Sequence, residues 1–467
     1  MMAPTHDLII IGAGPAGMSA AISAAALGLK TLLLDEQPHP GGQIYRHVTQ
    51  VPPRVAAVLG PDYLHGRGLA ERLQQCGVDY RSGALVWEIT QDLVLTVQQD
   101  ERSYRLRARQ IIAATGAMER PSPLPGWTLP GVLNAGAAQI AMKTSASVPQ
   151  GPVVLAGAGP LLLLVACQLL EAGAEVTAVV QTSPPENLRR ALPHLAAALG
   201  AAQYLMKGLK MLWRLRRAGV PLYQGASALR IEGKGQAERV RFSVGARDHT
   251  LAAKVVLLHH GVVPNTQLSR QLRLDHRWDA LNLCWTPVVD EGGQTSLEGL
   301  RIAGDGAGIA GARAAESAGI IAAAHAALAI GKSDAAACAA LIAQAGAERA
   351  RHLKIRPFLD TLYRPPQWLA SPPDEAIVCR CEEVSAGQIR EMARLGCQGP
   401  NQTKFFSRCG MGPCQGRMCG LSVTQILAQE LGKPPEEVGA YHIRTPLKPI
   451  ALASLAALAD TEPLASE

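Results

Sequence analysis

Short unbroken apolar runs alternate with small-residue helical stretches along most of this chain. Leu8-Ile9-Ile10-Ile11 is brief and β-branched, which predicts a strand buried on both faces. It passes through Gly12-Ala13-Gly14-Pro15-Ala16-Gly17 into an Ala-rich helix. A second strand, Thr31 to Leu34, then ends on Asp35. The same order returns from Pro152. Val153-Val154-Leu155-Ala156 predicts a buried strand, Gly157-Ala158-Gly159-Pro160-Leu161-Leu162 follows, an apolar helix runs to Leu170, and Glu175 to Val180 is again a strand. Later strands are expected at 111–116, closing on Ala114-Thr115-Gly116, and at 254–264. Another runs from Leu300 to Gly304-Asp305-Gly306, before a small-residue helix. Residues 276–286 have no defined pattern. This alternation predicts an α/β fold with two nested Rossmann-like units.

In the first unit each fingerprint glycine has its own task. Gly12 makes the tight turn, Gly14 lets the backbone approach a pyrophosphate, and Gly17 allows close helix–strand packing. The pyrophosphate would rest on the helix N-terminus, beside Pro15 and Ala16, where free N–H groups favour anions. Asp35, about 20 residues on, is placed to accept from a ribose hydroxyl, with Glu36 as the alternative. Together these predict a bound dinucleotide. The loop Pro40-Gly41-Gly42-Gln43-Ile44-Tyr45-Arg46 follows, either passing close to the cofactor or forming a surface turn. Asp305 is suited to a cofactor hydroxyl or a water near the pyrophosphate, or else to capping the next helix. The second unit departs from the fingerprint twice. Leu162 replaces the third glycine, and Val180-Gln181 ends the second strand without an acid. That leaves either an empty fold or a site for a second nucleotide, NAD(P) or ATP.

At 467 residues the chain is too long for one core, and 48% apolar residues suffice for several. Aromatics at 4% argue against base-stacking surfaces, so no nucleic-acid partner is expected. The net charge of +7 is spread along the chain; it would suit an anionic partner or membrane surface, but reads first as a solvated surface. Residues 1–6 run straight into the first strand, which predicts no secretory leader. The apolar stretches around 161–170 and 320–330 are too short to span a membrane. Ten cysteines without a leader point to a reducing compartment, where clustered thiols bind metal more often than they pair.

Cys76, Cys167, Cys284 and Cys338 are isolated and read as core residues. Cys379, Cys381, Cys409, Cys414 and Cys419 are different, sitting in Val-Cys-Arg-Cys-Glu-Glu and Arg-Cys-Gly-Met-Gly-Pro-Cys-Gln-Gly-Arg-Met-Cys. A CxC pair cannot bridge itself comfortably, but both thiolates can reach one iron pair. The neighbouring glycines free backbone N–H groups to point at sulfur. Zinc would also accept four thiolates, although its usual signature is CxxC.

The GxGxxG unit, Gly-Gly-Gln, Ala-Thr-Gly, the nested second unit and the returning Gly-Asp strand resemble two-dinucleotide-domain flavoproteins of the glutathione reductase type over about 7–325. The resemblance implies FAD on Gly12, Gly14, Gly17, Asp35, Gly42, Gln43 and Asp305. Pro15, Ala16, Glu36, Thr115, Gly116 and Gly304 stand beside them. No CxxC or CxxxxC pair precedes residue 379, so a disulfide reductase is not expected. His259 and His260 are either flavin neighbours or packed strand-end residues. The CxC pair, a gap of about 30 residues and a second pair resemble the helical [2Fe–2S] module of bacterioferritin-associated ferredoxin. That pattern implies Cys379, Cys381, Cys414 and Cys419 as ligands, with a wider final gap than the family's; Cys409 is the rival of Cys419, and Cys414 is a ligand in either assignment.

In this order the parts resemble the large α subunit of heteromeric bacterial amino-acid and opine dehydrogenases, including hydrogen cyanide synthase, opine oxidase and D-hydroxyproline dehydrogenase assemblies. The most specific pieces are Gly-Gly-Gln-Ile-Tyr-Arg and Gly-Met-Gly-Pro-Cys-Gln-Gly-Arg-Met-Cys. The resemblance implies an FAD domain at 1–120 with 282–330, a degenerate nucleotide domain at 121–281, a helical Pro-rich link at 331–372, a small helical [2Fe–2S] domain at 373–433 and an arm at 434–467. It also implies a partner β subunit resembling D-amino-acid and glycine oxidases, whose FAD oxidises the amine. An FMN between subunits and a ferredoxin-like γ subunit belong to the same picture, in which this chain carries no catalytic acid or base and relays electrons to a quinone or other acceptor. Its expected place is the cytoplasm, free or at the inner face of the cell membrane. The competing readings are a self-sufficient NAD(P)H-dependent reductase and a non-catalytic scaffold. The basic, proline-flanked tail from Tyr441 reads as an extended arm on another surface or as an ordered terminus.

Overall fold

The computed structural model describes residues 3–459. Its first unit contains β1 (His6–Ile11), α1 (Pro15–Ala26), β2 (Thr31–Asp35), β3 (Asp79–Ser82) and β4 (Arg102–Ala113). These strands pair in parallel in the order β3-β2-β1-β4. Leu300–Ile302 returns from beyond the second unit to lie parallel against β4. Leu8, Ile9, Ile10, Leu32, Leu33 and Leu34 are fully buried, as continuous apolar strands covered on both faces must be.

β1 gives way to α1 at very close quarters. Gly12 holds φ at +100°, and a Cβ on Gly17 would lie 1.8 Å from the Gly12 carbonyl oxygen. Backbone cannot yield that distance. Gly17→Ala should therefore destabilise the protein by about 3 kcal/mol or more, read as a lowered unfolding midpoint in thermal or urea denaturation. An unchanged midpoint would mean that α1 does not approach β1 this closely.

The second unit repeats the plan with β5 (Val132–Asn134), α2 (Ala135–Ser145), β6 (Val153–Ala158), α3 (Pro160–Glu171), β7 (Val176–Gln181), α4 (Ala202–Arg217), β8 (Leu222–Tyr223) and β9 (Val255–His260). Its parallel sheet runs β8-β7-β6-β9-β5. The chain crosses between the units twice, and the crossings pair antiparallel as Ala117–Glu119 with Val262–Pro264. Residues 276–287, patternless in sequence, form a hairpin of His276–Asp279 with Cys284–Pro287. α5 (Ala312–Ile330) then packs along α1, where Gly319 lets it approach the Ala16 backbone.

A third, small unit follows. Ile377–Cys379 pairs with Val384–Ser385, and α6 (Ala386–Arg394), α7 (Pro400–Ser407) and α8 (Gly420–Leu431) complete it. Ser385 starts α6 with a capping box: its hydroxyl accepts from the Gln388 N–H, and the Gln388 side chain accepts from the Ser385 N–H. Val378, Ile389, Val423, Ile426 and Leu427 share its core with Cys379, Cys409 and Cys419. Cys397, which the motif reading passes over, is a buried free thiol in the same stretch.

The arm from Tyr441 lies across this chain's own surface. Leu447 N–H donates to the Trp87 carbonyl at 2.8 Å, and Arg417 and Gln415 of the cysteine unit donate to the Leu447 and Pro446 carbonyls. The arm thus ties the cysteine unit to the first unit, and its residues from 460 lie outside the described ones. Among the described residues no helix is long and apolar enough to cross a membrane.

Candidate functional site

Loops far apart in sequence meet above the C-terminal ends of β1, β2 and β4. A Cβ on Gly42 would be 2.8 Å from the Gly14 Cα, so the Gly-Gly-Gln loop lies directly against the fingerprint loop. The Gly41 N–H donates to the Ala13 carbonyl at 2.8 Å. Gly304 faces Ala16 in the same manner, and Gly306 lies beside the Gly116 backbone. Gly12, Gly14, Pro15, Ala16, Gly17, Gly42, Thr115, Gly116, Gly304 and Asp305 therefore line one region, where α1 presents an N-terminus without a side-chain cap. Gln43 is exposed at its edge.

The acids there are already engaged. Asp35 is buried, accepting from Ala13 N–H at 2.5 Å and Gln37 N–H at 2.7 Å. Burial raises its carboxyl above the usual range against those two hydrogen bonds. Each carboxylate oxygen keeps a second lone pair for a ribose hydroxyl. Glu36 is paired with Lys448 of the arm. One oxygen of Asp305 accepts from Ala310 and Gly311 N–H at 2.9 and 3.0 Å, fixing the turn into α5.

Lys143 is the residue that sequence reasoning missed. It sits on α2, 3% exposed, and its ammonium donates to the Gln43 and Ile44 carbonyls at 3.1 and 2.9 Å and to Gln139 Oε1 at 2.9 Å. It clamps the Gly-Gly-Gln loop from beneath, without a carboxylate. Burial, helped by Arg46, pulls its pKa down to about 7. A lone lysine among Ala, Ile and Met on a buried helix face was the available signal. Between pH 7 and the ordinary lysine value the unfolded chain holds a proton that the folded chain lacks, so stability rises with pH across this window. Lys143→Met should flatten that rise by an amount on the order of a few kcal/mol, measured by urea denaturation at pH 7 and pH 10. Identical slopes in parent and variant would refute the assignment.

In the second unit His259 stands where the fingerprint loop turns. Its Nδ1 is 2.6 Å from Glu119 Oε1, and Gly136 N–H donates to the other Glu119 oxygen. Its Nε2 would be 3.2 Å from a Cβ on Gly159. Leu162 is fully buried in the core, and the Gln181, Thr182 and Ser183 side chains at the end of β7 carry buried polar atoms without partners. His260 is packed instead: Ser122 Oγ lies 2.8 Å from its Nδ1, Trp368 meets it edge-on, and burial drives its pKa down to about 3.

The cysteines divide into two groups. The sulfurs of Cys379, Cys409 and Cys419 all lie within 4.8 Å of one another and are buried. Thiol hydrogen bonds from Cys409 and Cys419, with backbone N–H groups of Gly410 and Glu382, hold Cys379 as the thiolate at a pKa of about 2. The two donor thiols are pushed up correspondingly. Cys381, exposed, faces Cys414, whose backbone N–H donates to its sulfur. A Cβ on Gly412 would meet the Cys381 Cβ at 2.1 Å, so only glycine lets the two loops close. Five sulfurs and several inward N–H groups thus occupy the space between two loops, a donor set suited to iron–sulfur ligation.

Residues 6–331 match the pyridine nucleotide-disulphide oxidoreductase family, and residues 374–459 match the sarcosine oxidase A3 domain. The A subunit of opine oxidase from Agrobacterium tumefaciens is 45% identical over 98% of this chain and 92% of its own length. The chain belongs to the family of opine oxidase A subunits. Hydrogen cyanide synthase subunit HcnB of Pseudomonas protegens is a further relative, 33% identical over 95% of this chain and 96% of its own. The crystal structure of L-proline dehydrogenase from P. horikoshii shares the fold, with a TM-score of 0.69 at 18% identity over 96% of this chain and 79% of that one. As a member of the opine oxidase family the chain is a flavoprotein oxidoreductase subunit. Its relatives are themselves named as subunits, so it is a component of a heteromeric enzyme.

Proposed function

We propose that this chain is the electron-transfer subunit of a heteromeric dehydrogenase acting on the C–N bond of an amino acid or opine. The first unit would hold FAD, with Gly14 and the N-terminus of α1 facing its pyrophosphate and Asp35 facing its ribose. A [2Fe–2S] cluster would be held by the cysteine unit, with Cys379, Cys381, Cys414 and Cys419 as the motif's ligands and Cys409, which lies against Cys379 and Cys419, as the rival. When bound, the flavin takes electrons in pairs and the cluster takes them singly, which is a reason to keep both in one chain.

The residues support the parts of this reading differently. Gly14, Gly42 and the uncapped α1 N-terminus form a cradle for an anion. The buried trio of thiols carries the relay reading, because a core has no need of three sulfurs within 4.8 Å of one another. The substrate is oxidised in a partner subunit resembling D-amino-acid or glycine oxidases, with an interfacial FMN and a ferredoxin-like subunit completing the path to a quinone or other acceptor. The cytoplasm suits its free thiols.

Anaerobic reductive titration tests the relay. The purified chain should take up two electrons at the flavin and one at the cluster, and the latter should give a paramagnetic signal. Uptake that stops at the flavin, with no such signal, overturns the reading.

A further inference from the structure

Tyr441 begins the arm, yet it lies inside the cysteine unit and is only 4% exposed. Its ring fills a socket built of glycines. A Cβ on Gly410, Gly416 or Gly420 would come within 2.7, 2.6 or 3.1 Å of it. The loop that carries Cys409, Cys414 and Cys419 is therefore wrapped around this one side chain. Two helices hold the ring in place. Asn401 on α7 brackets it, donating to the Ala440 carbonyl at 3.1 Å and accepting from the His442 N–H at 2.9 Å. Thr424 on α8 donates to the Gly439 carbonyl at 2.8 Å, and the Lys404 ammonium lies 5.4 Å from the centre of the ring.

The hydroxyl of Tyr441 donates to the Cys409 carbonyl at 2.8 Å. The Cys409 thiol meets the same hydroxyl. That carbonyl belongs to the same planar trans peptide as the Gly410 N–H, so the two groups point in opposite directions. Fixing one end aims the other. The Gly410 N–H donates to the Cys379 sulfur, on the far side of the peptide from the phenol. Hydrogen bonds to a ligating sulfur help set the potential of an iron–sulfur site, because they favour its electron-richer, reduced state.

We propose that Tyr441 is a positioning residue for electron transfer: by holding the Cys409–Gly410 peptide it aims an N–H at the Cys379 sulfur and so raises the potential of the cysteine site. The proposal rests on the iron–sulfur reading of that site. Tyr441 touches no electron carrier itself and acts through the peptide it holds.

Potentiometric titration of the full chain, purified anaerobically and followed by the paramagnetic signal of the reduced cluster, tests it. Tyr441→Phe keeps the ring in its socket and removes only the hydroxyl. Its cluster midpoint should fall, favouring the oxidised state by about tenfold, which is about 59 mV for a one-electron couple. The flavin midpoint should not move. Asn401→Ala loosens the bracket without touching the hydroxyl, and should shift the cluster midpoint the same way by less. Tyr441→Ala empties the socket and should also speed iron loss to a chelator by about tenfold or more. An unchanged cluster midpoint in Tyr441→Phe overturns the proposal and leaves the iron–sulfur reading standing. An equal shift at the flavin reports general loosening and overturns it too. Absence of iron and of the signal in the parent chain overturns the iron–sulfur reading, and the proposal with it.

Discussion

Cys379→Ser protein purified anaerobically is expected to carry no bound iron and to lose the visible absorption of the cluster while retaining its flavin. Cys379 is the strand-end sulfur on which the other groups converge, accepting from two thiols and two backbone N–H groups. Serine cannot supply a thiolate, and the buried pocket would be left with two sulfurs beside a hydroxyl. Iron and flavin are quantified per chain. Full iron content in the variant would remove Cys379 from the ligand set, and with it the trio as a metal site. The same measurement on Cys409→Ser and Cys414→Ser divides the alternatives. The motif spacing requires Cys414, whereas the observed proximity favours Cys409. Iron lost in Cys414→Ser and kept in Cys409→Ser assigns the motif's set, and the reverse outcome assigns the buried trio.

NADH or NADPH added anaerobically is expected to leave the flavin oxidised, whereas dithionite bleaches it. A hydride donor needs a dinucleotide laid across the second fingerprint with its nicotinamide reaching the flavin. The third glycine of that fingerprint is Leu162, which is fully buried in the core, and β7 ends on Gln181 where a ribose-binding acid belongs. The His259 imidazole, anchored by Glu119, stands at the Gly159 turn. Rapid bleaching by either nucleotide would make the chain a self-sufficient reductase. The partner would then be its acceptor instead of its donor.

The fingerprint and its purpose were legible because its rules are local. Within a few residues, steric demand for glycine at Gly12 and Gly17 and apolar continuity in Leu8–Ile11 admit few alternatives. The repeat at 153–180 and its two departures were readable for the same reason. The cysteine motif announced a thiolate site equally locally. Which sulfurs meet was decided by how α8 and the loop before it fold onto the Ile377–Cys379 strand, and spacing alone does not carry that information.

Tertiary structure also decided what each charge does. Lys143 looked like one helix lysine among many until α2 packed under the Gly-Gly-Gln loop. Asp35 was found at a strand end and Asp305 between glycines, but that Asp35 takes up the Ala13 N–H and Asp305 the Ala310 and Gly311 N–H groups was decided by the folded loops. The arm could have reached another molecule, and it closes on Trp87 of its own chain. Sequence determined the fold class and the kinds of chemistry, because these follow from local sterics and from residue type. Tertiary packing decided partners, ligand proximity and exposure, because these depend on which distant segments come to share a surface.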